Sequence, residues 1–354
     1  MSIRLSSASD PSNPKMQSGR FPVNIMAVGL SLPTTTRPLA QVFDLEKQRT
    51  AQQLESLSAP FRERLIAELG LTEIMCDTTS SSKQRGREVA AQALQRAGVS
   101  AREVGLIIDY STYAADAPAL WSLSHDIQAH LDAPNALVLG TRGSGCCGLH
   151  LALRTAQAFL QSAASSRVAL LVASDRAPDT GRVCLPIAVM SDAASALVVA
   201  SEDFTGTPIA RVRAVELQCS GRYVDILSST SEPPAITIDA ARFEQQLVPV
   251  HFVALNRVLA RAMRACHLSI SDISDLVYPN TTLLDRQSAC RALGFQMGAL
   301  VGPGPAMLGH AFANDLVINS HGLLQARSTG NKRYSAWLAA GSGFTWAAAI
   351  VETH

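Results

Sequence analysis

The run Gly140-Thr141-Arg142-Gly143-Ser144-Gly145-Cys146-Cys147-Gly148-Leu149 places two thiols on a glycine-rich turn. Ala136-Leu137-Val138-Leu139 before it reads as a buried strand, and Leu149 to Leu160 after it, free of Gly and Pro, reads as a helix. A cysteine at such a junction meets unpaired N–H groups and the positive end of the helix dipole. Both favour the thiolate, which is the nucleophile. The glycines permit positive φ and leave room for a substrate at the sulfur. The same residues also describe two small thiols buried at a tight turn, because free cysteine is commonly buried. The rest of the chain has to decide between these readings.

With 354 residues, two domains or one large fused α/β unit are expected. Hydrophobic residues make up 47% and charged residues 17%, enough for a large core and consistent with surface covered by another subunit. The net charge of +1, with no basic stripe, points away from nucleic acid as a partner. The seven cysteines are scattered, odd in number and without a CxxC, which predicts reduced thiols in a cytoplasmic protein. No run approaches membrane-spanning length and no signal-peptide core opens the chain. Residues 1–21 are rich in Ser, Pro and Asn and read as a disordered tail.

The elements that must position the turn follow in order. Val23 to Leu30 reads as a strand, 39–69 as helix-compatible, and Gln84 to Ala97 as a helix stopped by Gly98. Val104 to Tyr110 is a buried strand and Leu120 to Leu131 a helix. Strands at Val168 to Ser174 and Ala194 to Ala200 complete an α/β pattern with a mostly parallel core. The order then repeats. Ala93 to Ile108 has a counterpart 169 residues later, Ala262 to Val277, each a helix end, a Ser corner, an acidic turn and a strand. Leu170-Leu171-Val172-Ala173-Ser174 is matched by Trp337-Leu338-Ala339-Ala340-Gly341. Two α/β halves, 22–205 and 206–354, place an active site at their join.

A duplicated α/β chain with Cys on a helix N-terminus resembles the thiolase superfamily, and within it the ketoacyl-carrier-protein synthase III branch. The resemblance spans about 22–354. It rests on Gly145-Cys146-Cys147-Gly148-Leu149 at the nucleophile turn, on Met190-Ser191-Asp192-Ala193-Ala194-Ser195-Ala196-Leu197-Val198, and on Gly341-Ser342-Gly343-Phe344-Thr345-Trp346. It implies a thiolase fold of αβαβα layers and Cys146 as nucleophile. It also implies an oxyanion hole from the backbone N–H groups of Cys146 and Ser342, each such donor being worth about 3 kcal/mol of barrier.

Two loops depart from the branch. Its Pro-His-Gln-Ala-Asn reads Pro279-Asn280-Thr281-Thr282-Leu283, and its Tyr-Gly-Asn-Thr-Ser reads Leu308-Gly309-His310-Ala311-Phe312. The usual His and Asn have exchanged places. The resemblance then implies His310 as the group that tunes and deprotonates Cys146, with Asn280 donating to an enolate or thioester oxygen. Read without the resemblance, His310 is equally a core histidine or a helix-start residue, and Asn280 a turn residue or N-cap. His150, His267 and His321 read as structural, and Asp192 as the holder of a turn. No second Cys precedes Gly341, which argues against thiolase activity proper.

Substrate contacts are altered as well. Leu69 to Cys76 lacks the Arg that holds coenzyme A in the branch, and Leu283 and Asp285 replace its Asn and Arg. A carboxylate there repels phosphates, although Arg286 is a candidate replacement cation. Trp121, Phe312 and Phe344 are the candidate acyl-pocket residues. The expected enzyme is a cytoplasmic ketosynthase III-like acyltransferase of specialised, polyketide or fatty-acid-derived metabolism. It takes an acyl group from an acyl carrier protein or acyl-coenzyme A thioester of phosphopantetheine and passes it on by decarboxylative Claisen condensation. No permanently bound cofactor or metal is expected. The partner is a second copy or a related subunit. The alternatives are a non-catalytic subunit of a heteromeric ketosynthase and a non-condensing ester- or amide-forming acyltransferase.

Overall fold

The structure, a computed structural model, describes residues 22–118, 120–162, 166–231, 234–303, 308–326 and 332–353. The tail over 1–21, expected to be disordered, lies outside the described residues. Nine strands form one hydrogen-bonded sheet. In chain order they are β1 (Val23–Ser31), β2 (Val104–Asp109), β3 (Leu137–Gly140), β4 (Val168–Asp175) and β5 (Ala193–Ala200). Then come β6 (Ala210–Cys219), β7 (Ile273–Val277), β8 (Arg333–Gly341) and β9 (Thr345–Thr353). Their spatial order is β7-β8-β9-β6-β1-β5-β4-β2-β3. The middle is thin, since β1 and β6 share only the pairs from Val23–Val212 to Ile25–Ala210.

The main helices are α1 (Ser82–Ala97), α2 (Leu123–Leu131), α3 (Gly148–Ser162), α4 (Val248–Ala265), α5 (Leu283–Leu293) and α6 (Asp315–Gln325). Strand alternation sorts them into layers. In β4, Ala169, Leu171 and Ala173 enter one core, while Val168, Leu170 and Val172 enter another. The first core also holds Trp337 and Ala339 of β8, Ala347 and Ala349 of β9, and the apolar faces of α3 and α6. Helix α1 covers the outer face of β1, β4 and β5, and α4 that of β6, β8 and β9. The result is αβαβα, the thiolase fold. Leu149, Ala152, Leu153, Ala156 and Leu160 form the buried stripe of α3, each leucine worth about 2 kcal/mol of burial.

The two similar sequence segments end in the same local device. Ser100 and Glu103 form a capping box that leads into β2, and Ser269 and Asp272 form one that leads into β7. In each, the serine N–H donates to the acidic side chain, at 2.8 Å and 2.7 Å respectively.

Two expectations change. The sheet is mixed, not mostly parallel: β2–β3, β2–β4 and β7–β8 run parallel, and the other pairings antiparallel. Where a helix joins two neighbours they can run parallel. The short link from β8 to β9 forces an antiparallel return. The run at Ala136–Leu139 is not a buried strand but the sheet's edge, with Leu137 58% exposed.

Candidate active site

Cys146 lies near the end of a short turn of 3-10 helix, Arg142–Cys147, that continues into α3. Gly145 has φ of 50°, and a Cβ on it would lie 2.7 Å from the amide nitrogen of Ser342. A Cβ on Gly341 would lie 2.0 Å from the carbonyl oxygen of Ser144 and 3.1 Å from the amide nitrogen of Cys146. The Cys146 turn and the loop between β8 and β9 therefore close backbone to backbone, which only glycine allows. The two thiols part company here. Cys147 is fully buried, its Sγ within 3.3 Å of the Ala339 oxygen and 3.2 Å of the Thr345 oxygen, and burial pushes its thiol well up. Cys146 is half-buried and faces the cavity.

His310 meets it across the cavity wall. A bridge to Met190 fixes its backbone: His310 N–H donates to Val189, and its oxygen accepts from Ser191. Its Nε2 lies 3.3 Å from Cys146 Sγ and its Nδ1 2.5 Å from Asp315 Oδ2. Asp315 opens α6 and is fully buried. Burial by itself would push the His310 imidazole down, but the Asp315 carboxylate and the Cys146 sulfur outweigh it and hold it well above its ordinary range. Sulfur, imidazole and carboxylate thus stand in line, the arrangement that activates a nucleophile through an oriented base.

No protein-family model matches the chain. A beta-ketoacyl-[acyl-carrier-protein] synthase III from Sphingopyxis alaskensis is 30% identical over 279 residues, 75% of this chain and 82% of that protein. The chain belongs to the beta-ketoacyl-[acyl-carrier-protein] synthase III family. It is an acyltransferase of that type. The synthase III of Shigella flexneri is 24% identical over 329 residues, 87% of this chain and 96% of its own. The solved structure of ChlB3, described as an acyltransferase, shares the fold at a TM-score of 0.75 and 22% identity, covering 94% of this chain and 97% of that one.

The cavity of this synthase III has a volume of about 440 Å³ and is lined by Cys146, His310, Phe312, Ser342 and Phe344 among others. The Phe312 ring lies 5.7 Å from that of His310 and 6.3 Å from that of Tyr113. Two of the residues expected at the site are elsewhere. Trp121 does not line the cavity; it packs against the core between α1 and β2. Asn280 does not line it either, so its amide is not aimed at a reacting oxygen. The Pro279–Asn280 corner comes in beside the start of α6, and Asn280 donates to Asp315 from its backbone N at 2.7 Å and its Nδ2 at 3.2 Å.

Asp285 does line the cavity, accepting from Tyr278 Oη at 3.1 Å and Thr281 Oγ1 at 2.7 Å. Arg286, the candidate phosphate cation, is buried and is not part of the lining. Asp192 has the structural part expected of it, paired with the buried Arg182 at 2.8 Å and accepting from the Ala177 and Asp77 amides. His150 is a core residue whose Nε2 lies 2.9 Å from the Trp337 oxygen.

Asp315 is the residue that sequence reasoning missed. An aspartate at the start of a helix is explained by the helix dipole alone, and this ordinary explanation hid it. The available signal was its spacing from His310, five residues back at the mouth of the same helix. Among the described residues no cluster of His, Cys, Asp and Glu could hold a metal ion, and no helix is long and apolar enough to cross a membrane.

Proposed function

We propose that this synthase III relative carries an acyl group from a thioester donor to Cys146 and on to a hydroxyl or amine acceptor, without condensation. One observation carries the reading. Cys146, His310 and Asp315 stand in line, while no Asn or Gln is among the described residues that line the cavity. Asp315 holds the Nδ1–H tautomer of His310. Nε2 then takes the Cys146 proton, and the sulfur attacks the donor carbonyl. The oxyanion is held by the N–H groups of Cys146 and Ser342, and the donor thiol leaves with the proton from His310. In the second half, Nε2 removes the proton of the acceptor as it attacks the acyl-cysteine, and the Cys146 sulfur leaves. Condensation calls instead for a second donor beside the enolate, and the Asn280 amide is turned to Asp315 and does not line the cavity.

Decarboxylative condensation with a malonyl-type thioester is the second reading. Family membership favours it, because the relatives are named for making ketoacyl groups. A non-catalytic subunit has no reason to keep sulfur, imidazole and carboxylate in line. The donors proposed are acyl carrier protein or coenzyme A thioesters, with the exposed Arg64 and Arg142 of the lining as cations for their phosphates. We further propose a cytoplasmic enzyme of specialised metabolism, two halves meeting near 205, and a second copy or related subunit. The exposed Leu137 on the edge strand supports such a partner.

The test loads the purified protein from a panel of acyl-coenzyme A and acyl-carrier thioesters and follows intact mass. A gain on Cys146 that is discharged by alcohols or amines supports the proposal. Discharge by malonyl-coenzyme A with a ketoacyl product supports condensation. Absence of loading across the panel overturns both.

A further inference from the structure

We infer that Asn280 and Asn319 are positioning residues that hold the Cys146–His310 pair in its working form, acting through Asp315. The inference rests on the proposed triad. Asp315 receives four donors: His310 Nδ1 at 2.5 Å and Asn280 N at 2.7 Å on Oδ2, and Asn280 Nδ2 at 3.2 Å and Ala311 N at 2.8 Å on Oδ1. An ionised carboxylate accepts about four hydrogen bonds and donates none, so the set suits the charged form alone. Each donor stabilises that charge in a site removed from water. A charged Asp315 in turn requires the proton on His310 Nδ1, which leaves Nε2 for the sulfur.

The orientation of the Asn280 amide is itself decided one layer further out. Asn319 Nδ2 donates to Asn280 Oδ1 at 3.0 Å and to the Tyr278 oxygen at 2.8 Å. With Oδ1 occupied as an acceptor, Nδ2 of Asn280 must turn to Asp315. Asn319 lies one helical turn beyond Asp315 on α6, on the same face. Tyr278 directly follows β7, so the chain of contacts is anchored in the sheet. All three polar residues are buried, Asn280 at 1% exposure, Asn319 at 3% and Asp315 at 0%. Two other titratable groups face the cluster: Asp175 of β4, whose carboxyl burial pushes well up and which feels His310, and Arg286 of α5, which feels Asp315. Neither makes a hydrogen bond to Asp315 or His310 among the described residues, so the two donors from Asn280, with the Ala311 N–H, are what set the carboxylate's aim.

The measurement is the rate of Cys146 alkylation by iodoacetamide against pH, mapped by peptide mass, with no acyl substrate involved. With Nε2 of His310 at the sulfur, the wild type is expected to show Cys146 alkylation that persists at pH 6. Asn280→Ala is expected to lower the rate at pH 6 roughly 10-fold, one pH unit's displacement of the acid limb, and to converge with the wild type near pH 9. Asn319→Leu, with the Asn280 side chain intact, is expected to shift the limb in the same direction by about threefold at pH 6. Thermal melts at each pH separate misfolding from mispositioning, and a folded Asn319→Leu carries the test if Asn280→Ala does not fold. Variants whose profiles run parallel to a wild type that is reactive at pH 6 overturn this inference and leave the triad standing. A wild type that reacts like an isolated thiol overturns the triad and the inference together.

Discussion

Two buried histidines, one in the central core and one in the wall of the cavity, show how little burial by itself decides. His150 on α3 is 1% exposed and His310 is 3% exposed. His150 donates from Nε2 to one neutral carbonyl, that of Trp337, and burial brings its imidazole down to about 4. His310 has a carboxylate on one nitrogen and a sulfur on the other, and the same burial is outweighed. The difference is not in how much water is excluded but in which partners replace it. A neutral partner leaves a silent core residue. A charged one makes a base that can change its proton state for chemistry.

The largest test of that contrast removes the partners of His310. Cys146→Ala is expected to abolish acyl loading in the intact-mass assay while leaving the fold unchanged by circular dichroism. Asp315→Asn keeps the shape but removes the charge and allows the wrong tautomer. Single-turnover loading is expected to fall by roughly 10³–10⁴-fold, the scale seen when a triad carboxylate becomes an amide. A loss under tenfold would mean that Asp315 does not orient His310.

The next test titrates the comparison. His150 has a folded value below its unfolded 6.5, so above that pH it is neutral in both states. As pH falls from 6.5 to about 4 the unfolded chain binds a proton that the folded one refuses, and about 3 kcal/mol of stability is lost. The same sign holds for His251 and His321, both lowered by burial. His310 has the opposite sign. Its folded value is raised, so its contribution is complete below 6.5 and is lost as pH rises through the folded value. Urea denaturation at several pH values in His150→Phe should lose the His150 share of the acid slope between 6.5 and 4, while the share from His251 and His321 remains. The smallest expected effect is on activity: His150→Phe should load Cys146 within about twofold of wild type, because His150 does not line the cavity. A large loss there would break the distinction between the two histidines.

The parts of the site that were legible in the sequence are those whose reasons are local. Gly145, Cys146 and Gly148 sit on a strand-to-helix turn, and the terminal Gly341-Ser342-Gly343 loop is equally self-contained. Phe312 and Phe344 were legible through the same motifs. Asn280 was legible as a residue but not as a role, because its amide could point to either side of the loop and only Asn319, 39 positions away, settles which. Trp121 illustrates the same limit, since an aromatic near the site in sequence turned out to serve the outer core.

The sequence by itself determined the elements, their near-repetition and the nucleophile turn, because hydrophobic period, capping residues and glycine geometry act over a few residues. It also marked Cys146 and His310 as candidates. Only the tertiary structure decided that the sheet is mixed, that β3 is its edge, and that Asp315 stands behind His310. Those features depend on which strands pair and on where the start of α6 meets the Asn280 loop. Such contacts join residues far apart in the chain, and they form only when the inner core of α3, α6 and the sheet has packed.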